Sequence, residues 1–294
     1  MSLGHLPFVS VIVPVYRDWA SLAQCLDALS RQSYPQTAFE VIVANNDPRS
    51  EVPPAVRERD VRIVDQKIPG SYAARNKAVE HASGEILAFT DSDCTPAEDW
   101  LERGVDRLLH GSERLAGRVV LTFGSDRLTW AEIYEKAYAF RQEENAAQGT
   151  SVTANLLVWR RIFERVGPFD ATLLSRGDTE WGLRASAAGV GIDHAPDVVV
   201  YHPARTTLRE LLAKRRRLAG GAFQLAPPTE LGPVIVRSLR GLMPPAYAYR
   251  SIRGRADLSS AEKAVAFLVR YLIKVYSTFQ RLLLSARLRK PVRS

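Results

Sequence analysis

The sequence predicts an α/β fold: a mixed, mainly parallel sheet flanked by helices, with a basic helical extension at its C-terminal end. Three observations carry that prediction. Short apolar runs recur at residues 8–15, 39–44, 61–65 and 86–89, each with the length and β-branched character of an interior strand. Segments of helical periodicity separate them, and such alternation gives parallel strands joined by right-handed crossovers. The charge is also divided: residues 204–294 carry 19 Lys plus Arg against 4 Asp plus Glu, whereas residues 1–203 carry 21 against 28.

Each element follows from local chemistry. Residues 8–15 form a first strand that Pro14-Val15-Tyr16 ends. Leu22, Cys25, Leu26 and Leu29 then fall at helical spacing, and that helix stops before Tyr34-Pro35. Residues 39–44 give a second strand running into Asn45-Asn46-Asp47-Pro48, which is turn chemistry. A third strand covers 61–65, and Gly70-Ser71 leads into a helix over 72–82 that Ser83-Gly84 closes. After the fourth strand at 86–89, Thr95 reads as an N-cap, Pro96 as the first helical residue and Glu98 as the capping-box partner of a helix reaching about His110. In the second half, residues 115–123 and 151–159 read as strands and 130–147 as one long polar helix. A short helix surrounds Ile162, another runs from Gly177 to about 188, and residues 198–203 form a strand that carries His202.

The parallel strands all end at one sheet edge, where open α/β sheets bind ligands. Tyr16, Asn46, Asp47, Gly70, Arg75, Asp91 and Asp93 therefore converge on one crevice. Asp91 and Asp93, one residue apart, suit a hard divalent cation that is itself bound to phosphate oxygens. The predicted capping box leaves both carboxylates out of the helix start. Neither a G-x-G-x-x-G fingerprint nor a G-x-x-x-x-G-K-[ST] loop occurs, which argues against hydride transfer and against an ordinary NTPase. On the residues alone, Asp178 reads first as a helix cap and His202 as a structural histidine.

In combination the motifs are more specific. P-V-Y at Pro14 to Tyr16, N-N-D at Asn45 to Asp47, G-S-Y-A-A-R-N-K-A at Gly70 to Ala78, D-S-D at Asp91 to Asp93 and G-D-T-E-W at Gly177 to Trp181 resemble the family 2 glycosyltransferases of GT-A (Rossmann-like) fold, of the bacterial cell-surface polysaccharide or glycolipid type. The likeness implies a catalytic domain over 1–205, with a nucleotide-binding half at 1–110 and an acceptor half at 111–205. It implies transfer of a sugar from a nucleotide-diphosphate donor, UDP-sugar favoured, with inversion at the anomeric carbon. By position, Pro14 and Tyr16 line the nucleotide pocket, Asn46 or Asp47 faces the base, and Arg75 lies beside nucleotide and sugar. Asp91 stands near ribose and metal, Asp93 and His202 hold Mn2+ or Mg2+, Asn155 touches donor sugar or acceptor, and Asp178 is the general base. The chain departs from the family in having Asn45-Asn46 where Asp-Asp is common, and Gly177 in place of the acidic neighbour of the base.

Composition bounds the rest. A chain of 294 residues, 46% hydrophobic and 24% charged, is ordinary globular material, so no disordered or fibrous class fits. Cys25 and Cys94 lack metal-type spacing, and no long apolar run suggests export or a spanning helix, so the expected compartment is cytoplasmic. The extension, 206–294, opens with a helix at 208–218 ending before Gly220-Gly221, and the pairs Pro227-Pro228 and Pro244-Pro245 break the segment after it. It lacks the Q-x-x-R-W pattern of processive synthases, which implies a non-processive enzyme. From Ser259 on, Ala264, Phe267, Leu268, Tyr271, Leu272, Val275, Phe279 and Leu282 make an apolar stripe opposite Lys263, Arg270, Lys274 and Arg281. Packing on the core and peripheral attachment to an anionic membrane, at the inner face, both suit it. The acceptor is then a glycan or a lipid-linked one. Two rivals are weighed. A sugar nucleotidyltransferase would want a Gly-rich, Arg-containing loop after the first strand, which is missing. A nucleic-acid or membrane module built on the tail alone would want stacking aromatics among its cations, and these are sparse, so no nucleic acid is expected.

Overall fold

The computed structural model describes residues 6–173, 175–225, 238 and 241–288. In chain order its first half contains β1 (Val9–Val15), α1 (Trp19–Leu29), β2 (Phe39–Asn45), α2 (Pro54–Arg57), β3 (Arg62–Asp65), α3 (Ser71–Glu80), β4 (Ile86–Phe89), β5 (Thr95–Pro96) and α4 (Trp100–Leu109). There follow β6 (Arg114–Thr122), α5 (Trp130–Tyr138), α6 (Gln142–Ala147), β7 (Leu156–Trp159), α7 (Arg160–Val166), α8 (Gly177–Ala187) and β8 (Asp193–Pro203). The last three helices are α9 (Leu208–Leu225), α10 (Ala246–Ile252) and α11 (Ser260–Ser285).

The strands form one mixed sheet in the order β3-β2-β1-β4-β7-β6-β8-β5. β3, β2, β1 and β4 run parallel, as their apolar runs predict. β7 is antiparallel to β4 and to β6, so the direction changes in the middle of the sheet. β1 is flanked by partners on both edges, and Val9, Val11, Ile12 and Val13 are fully buried, which is why its sequence does not alternate. Leu22, Cys25, Leu26 and Leu29 of α1 are buried as their spacing requires.

The chain divides into two compact units. The first takes the described residues of Met1–Val120, Phe140–Thr172 and Gly177–His202; the second takes those of Leu121–Ala139, Leu173–Arg176 and Pro203–Ser294. In the second unit, α5 packs with α9 and α11 through Ala131, Tyr134, Leu211, Val269 and Ile273. Glu135 of α5 is buried there between Arg205 at 3.0 Å and Lys214 at 3.3 Å, and those two cations hold its carboxyl below the usual range against the opposing effect of burial. Among the described residues no helix is long and apolar enough to cross a membrane.

Five local expectations are corrected. Thr95 and Pro96 do not open a helix: they pair with Tyr201 and Val200 as β5, and α4 begins at Trp100 after Asp99. Strand addition at the end of the sheet outweighs the local capping signal, and an end strand is where a proline without an N–H is tolerated. The helix expected over 130–147 is two helices, broken at Phe140, whose φ of 48° lies outside the helical region. The break falls at the boundary between the units. β7 is shorter than expected, because Thr153–Asn155 forms a 3₁₀ turn ahead of it. α9 runs through Gly220-Gly221 to Leu225. A Cβ on Gly221 would lie 2.6 Å from the Ser175 carbonyl oxygen, so this glycine serves close approach and not helix termination. Lastly, the buried face of α11 is Ala266, Val269 and Ile273, whereas Leu268, Leu272 and Phe279 of the predicted stripe are exposed. Pro244-Pro245 does precede α10, and Pro227-Pro228 lies outside the described residues.

Candidate functional site

The C-terminal ends of the parallel strands supply the first wall of the crevice. Pro14 is half-buried in β1 and Tyr16, just beyond, is 55% exposed. Arg17 donates from Nε to Asp47 Oδ2 at 2.6 Å, and that hydrogen bond holds the Asp47 carboxyl below its ordinary range. The Asn46 side chain is used internally: Nδ2 donates to the carbonyls of Gln66 at 3.1 Å and Ile68 at 2.8 Å, and Oδ1 accepts from the Gly70 amide at 2.6 Å. Of the two candidates for facing a base, Asn46 thus fixes the loop that opens α3, and Asp47 is held by Arg17.

Arg75 projects from α3, 3% exposed, and donates from Nη2 to Asp91 Oδ1. Among the described residues its buried Nε has no acceptor, which leaves one guanidinium donor for an oxygen of a bound molecule. Asp93, two residues beyond Asp91, instead meets His202 of β8, with Nε2 and Oδ2 3.4 Å apart. The three predicted metal residues are therefore divided: Asp93 and His202 lie together, and Asp91 is engaged by Arg75. A thiol joins the pair, since the ligand atoms of Asp93, Cys94 and His202 all lie within 4.8 Å of one another. Burial, reinforced by Asp91 and Asp93, pushes the Cys94 thiol well up, so it stays protonated and offers a hard cation little. The carboxylate and imidazole fit Mn2+ or Mg2+ chemistry better. The Phe140 ring lies against His202 at 4.7 Å between centroids, so the break after α5 also walls this corner.

Asp178 is the second residue of α8. The Phe169 ring lies 5.8 Å from Tyr72 of α3 and 5.6 Å from Trp181 of α8, and Asn76 of α3 exchanges two hydrogen bonds with the Phe169 backbone, so α3 and α8 are clamped side by side. This places the Tyr72 hydroxyl as a donor to Asp178 Oδ1 at 3.2 Å, with the Thr179 amide donating to the same atom at 2.8 Å. Burial raises the Asp178 carboxyl above its ordinary range, with Asp91 adding to it, although the Thr179 amide, Arg75 and Tyr72 act the other way. A Cβ on Gly177 would lie 2.8 Å from the Tyr72 ring. The small residue before Asp178, where the family has an acid, is thus the counterpart of a tyrosine that fills its space.

Asn155 is placed elsewhere. It is fully buried, accepts from Trp100 Nε1 at 2.9 Å, and donates to the carbonyls of Arg118 and Val198, each at 2.9 Å. Its amide ties α4, β6 and β8 together and has no donor or acceptor direction left for a sugar. Sequence reasoning missed three residues of consequence: Tyr72, Cys94 and Arg114. Tyr72 sits inside the G-S-Y-A-A-R-N motif, where an aromatic among small residues was the available signal. Cys94 directly follows D-S-D. Nothing local distinguishes Arg114.

Comparison with known proteins agrees with this geometry. The chain matches Glycosyl transferase family 2 over residues 10–167 and Glycosyl transferase family group 2 over residues 89–285. It is 38% identical over 228 residues to the glycosyltransferase AglE of Haloferax volcanii, covering 75% of this chain and 74% of that one. A pre-mycofactocin glycosyltransferase of Mycobacterium tuberculosis is 28% identical over 176 residues, which is 57% of this chain and 37% of the relative. Among solved structures, the mannosyltransferase PcManGT of Pyrobaculum calidifontis, in complex with GDP-Man and Mn2+, superposes with a TM-score of 0.58 at 22% identity, over 97% of this chain and 87% of its own. That likeness supports the GT-A fold, and the sequence matches establish the family: the chain belongs to the family 2 glycosyltransferases.

Proposed function

We propose that the protein transfers a sugar, with inversion and without processivity, from a nucleotide-diphosphate donor to a hydroxyl of a glycan or lipid-linked acceptor, with Asp178 as general base. The observation that carries this reading is the Tyr72–Asp178 contact on the wall that also bears Arg75 and Asp91, since it holds a carboxylate of raised proton affinity in a fixed rotamer. In the step, Asp178 takes the acceptor hydroxyl's proton as that oxygen bonds to the anomeric carbon. The bond from that carbon to the diphosphate oxygen breaks on the opposite side, and its electron pair leaves with the diphosphate. Arg75 supplies a guanidinium for the charge that grows there. Asp93 and His202 would hold a divalent cation, which when bound neutralises the diphosphate. The preference for a uridine donor rests on the resemblance alone; PcManGT carries GDP-Man, and Asp47 is the residue of the turn still placed to meet a base. Product analysis with a panel of nucleotide sugars, each with Mn2+ and with Mg2+, tests the reading; transfer with retained configuration would refute it.

Two predictions arise from these positions. Asp93→Ala removes the exposed member of the proposed ligand pair, so donor binding should lose its dependence on added Mn2+ while metal-free binding changes little. A calorimetric titration of nucleotide diphosphate with and without Mn2+ checks this, and an unaltered metal response would reassign the ligand. Tyr72→Phe deletes one donor to the ionised Asp178, which disfavours the charged form and raises its pKa. The acid limb of kcat/KM should therefore move to higher pH, with kcat lowered roughly tenfold by the looser carboxylate and donor KM unchanged. A profile superposable on the parent's would remove Tyr72 from the mechanism.

A further inference from the structure

Helix α11 has two apolar faces, and the second unit uses only one. Ala266, Val269 and Ile273 are buried in the packing with α5, α9 and α10. The other face runs through Leu268, Leu272, Val275, Phe279 and Leu282, which recur three and four residues apart and so lie in one row. Leu268, Leu272 and Phe279 are 43%, 46% and 53% exposed, and no core cluster among the described residues includes any of the five. Leu242 and Met243 widen the surface: Tyr271 Oη donates to the Leu242 carbonyl at 2.8 Å and Lys274 Nζ to that of Met243 at 2.6 Å, while the two side chains stay 40% and 63% exposed.

Charge identifies what this face meets. Lys263, Arg270, Lys274 and Arg281 recur along one flank of the row, and the only acid on α11, Glu262, is ion-paired with Lys136 at 2.8 Å. A second copy docked through this face would bring two such cationic rows together in a region that already carries 19 basic against 4 acidic residues over 204–294. A helix that cannot span a bilayer but joins an exposed apolar row to a cationic flank is the pattern that lies in a membrane interface. We infer that the outer face of α11, with Leu242 and Met243, seats on an anionic lipid bilayer. This rests on no assumption about the transfer chemistry.

The test is flotation of the full chain with vesicles of phosphatidylglycerol or of phosphatidylcholine, for the parent, Leu272→Glu/Phe279→Glu and Arg281→Glu. The parent should float with the anionic vesicles and stay behind with the neutral ones. The double variant should partition at least tenfold less, Arg281→Glu severalfold less, and the double variant should melt at the parent's temperature because it alters an open face. Four results would each overturn the inference: no flotation of the parent with anionic vesicles; flotation that survives the double variant, which would leave charge alone responsible and point to polyanions such as nucleic acid; a clearly lower melting temperature of the double variant, which would mean that the chain itself covers the face; or a parent dimer in sedimentation that the double variant makes monomeric.

Discussion

Asp178→Asn abolishes turnover and leaves donor binding nearly intact. The amide keeps the shape of the carboxyl and its Oδ1 still accepts from the Tyr72 hydroxyl and the Thr179 amide, so the local structure has little reason to move. What is lost is the capacity to take a proton. General base catalysis is worth about 10²- to 10⁴-fold, and an inverting displacement has no covalent intermediate through which to bypass it. The loss should therefore appear in kcat, with the donor's dissociation constant changed by less than about twofold in calorimetry. The parent's pH profile supplies an independent check. The base works only when ionised, so activity falls as pH drops through its pKa; burial has raised that pKa, and the acid limb should lie above the pKa of about 3.9 of an ordinary aspartate. Retention of more than a few per cent of turnover in Asp178→Asn would remove this residue as the base.

What the sequence revealed of this site, and what it hid, follows from how far each signal reaches along the chain. The four parallel strands were legible because burial on both faces leaves unbroken apolar runs, and the D-S-D, A-R-N and G-D-T-E-W segments were legible because each is contiguous. The pairing of Arg75 with Asp91 and the meeting of Asp93 with His202 need only the strand order, which the βαβ rhythm implies for the first pair and the family likeness for the second. Contacts decided by packing were not legible. Thr95, Pro96 and Glu98 have the residue types of a helix start, yet backbone pairing with Tyr201 and Val200 is a long-range term that no local pattern records. The row along α11 showed equal apolar content on two faces, and only the positions of α5 and α9 decide which one is buried. Asn155 reads as a polar loop residue, and its three partners come from α4, β8 and the middle of β6.

Arg114→Met should cost the protein on the order of 3–5 kcal/mol, and Arg114→Lys should recover little of it. Arg114 is the first residue of β6 and is fully buried, with burial pushing its pKa down to about 10, so it remains charged at neutral pH. Its guanidinium makes no ion pair among the described residues. It donates instead to the carbonyls of Gly191 at 3.2 Å, Gly182 at 3.2 Å, Gly149 at 3.1 Å and Val190 at 3.2 Å, and to Ser186 Oγ at 2.7 Å. A methionine of similar length fills the space but strands these acceptors, at about 1–3 kcal/mol for each that water does not reach. A lysine has one nitrogen where three are used, and cannot span acceptors on separate segments. The melting temperature should fall by roughly 10 °C. The effect should also reach the chemistry, because Gly182 and Ser186 lie in α8, four and eight residues past Asp178. With its middle released, α8 no longer holds the carboxylate against Tyr72. Arg114→Lys, measured well below its own melting temperature, should show a lower kcat and an acid limb displaced upward in the same direction as Tyr72→Phe. A stability loss with an unchanged pH profile would confine Arg114 to the scaffold and separate the clamp on α8 from the alignment of the base.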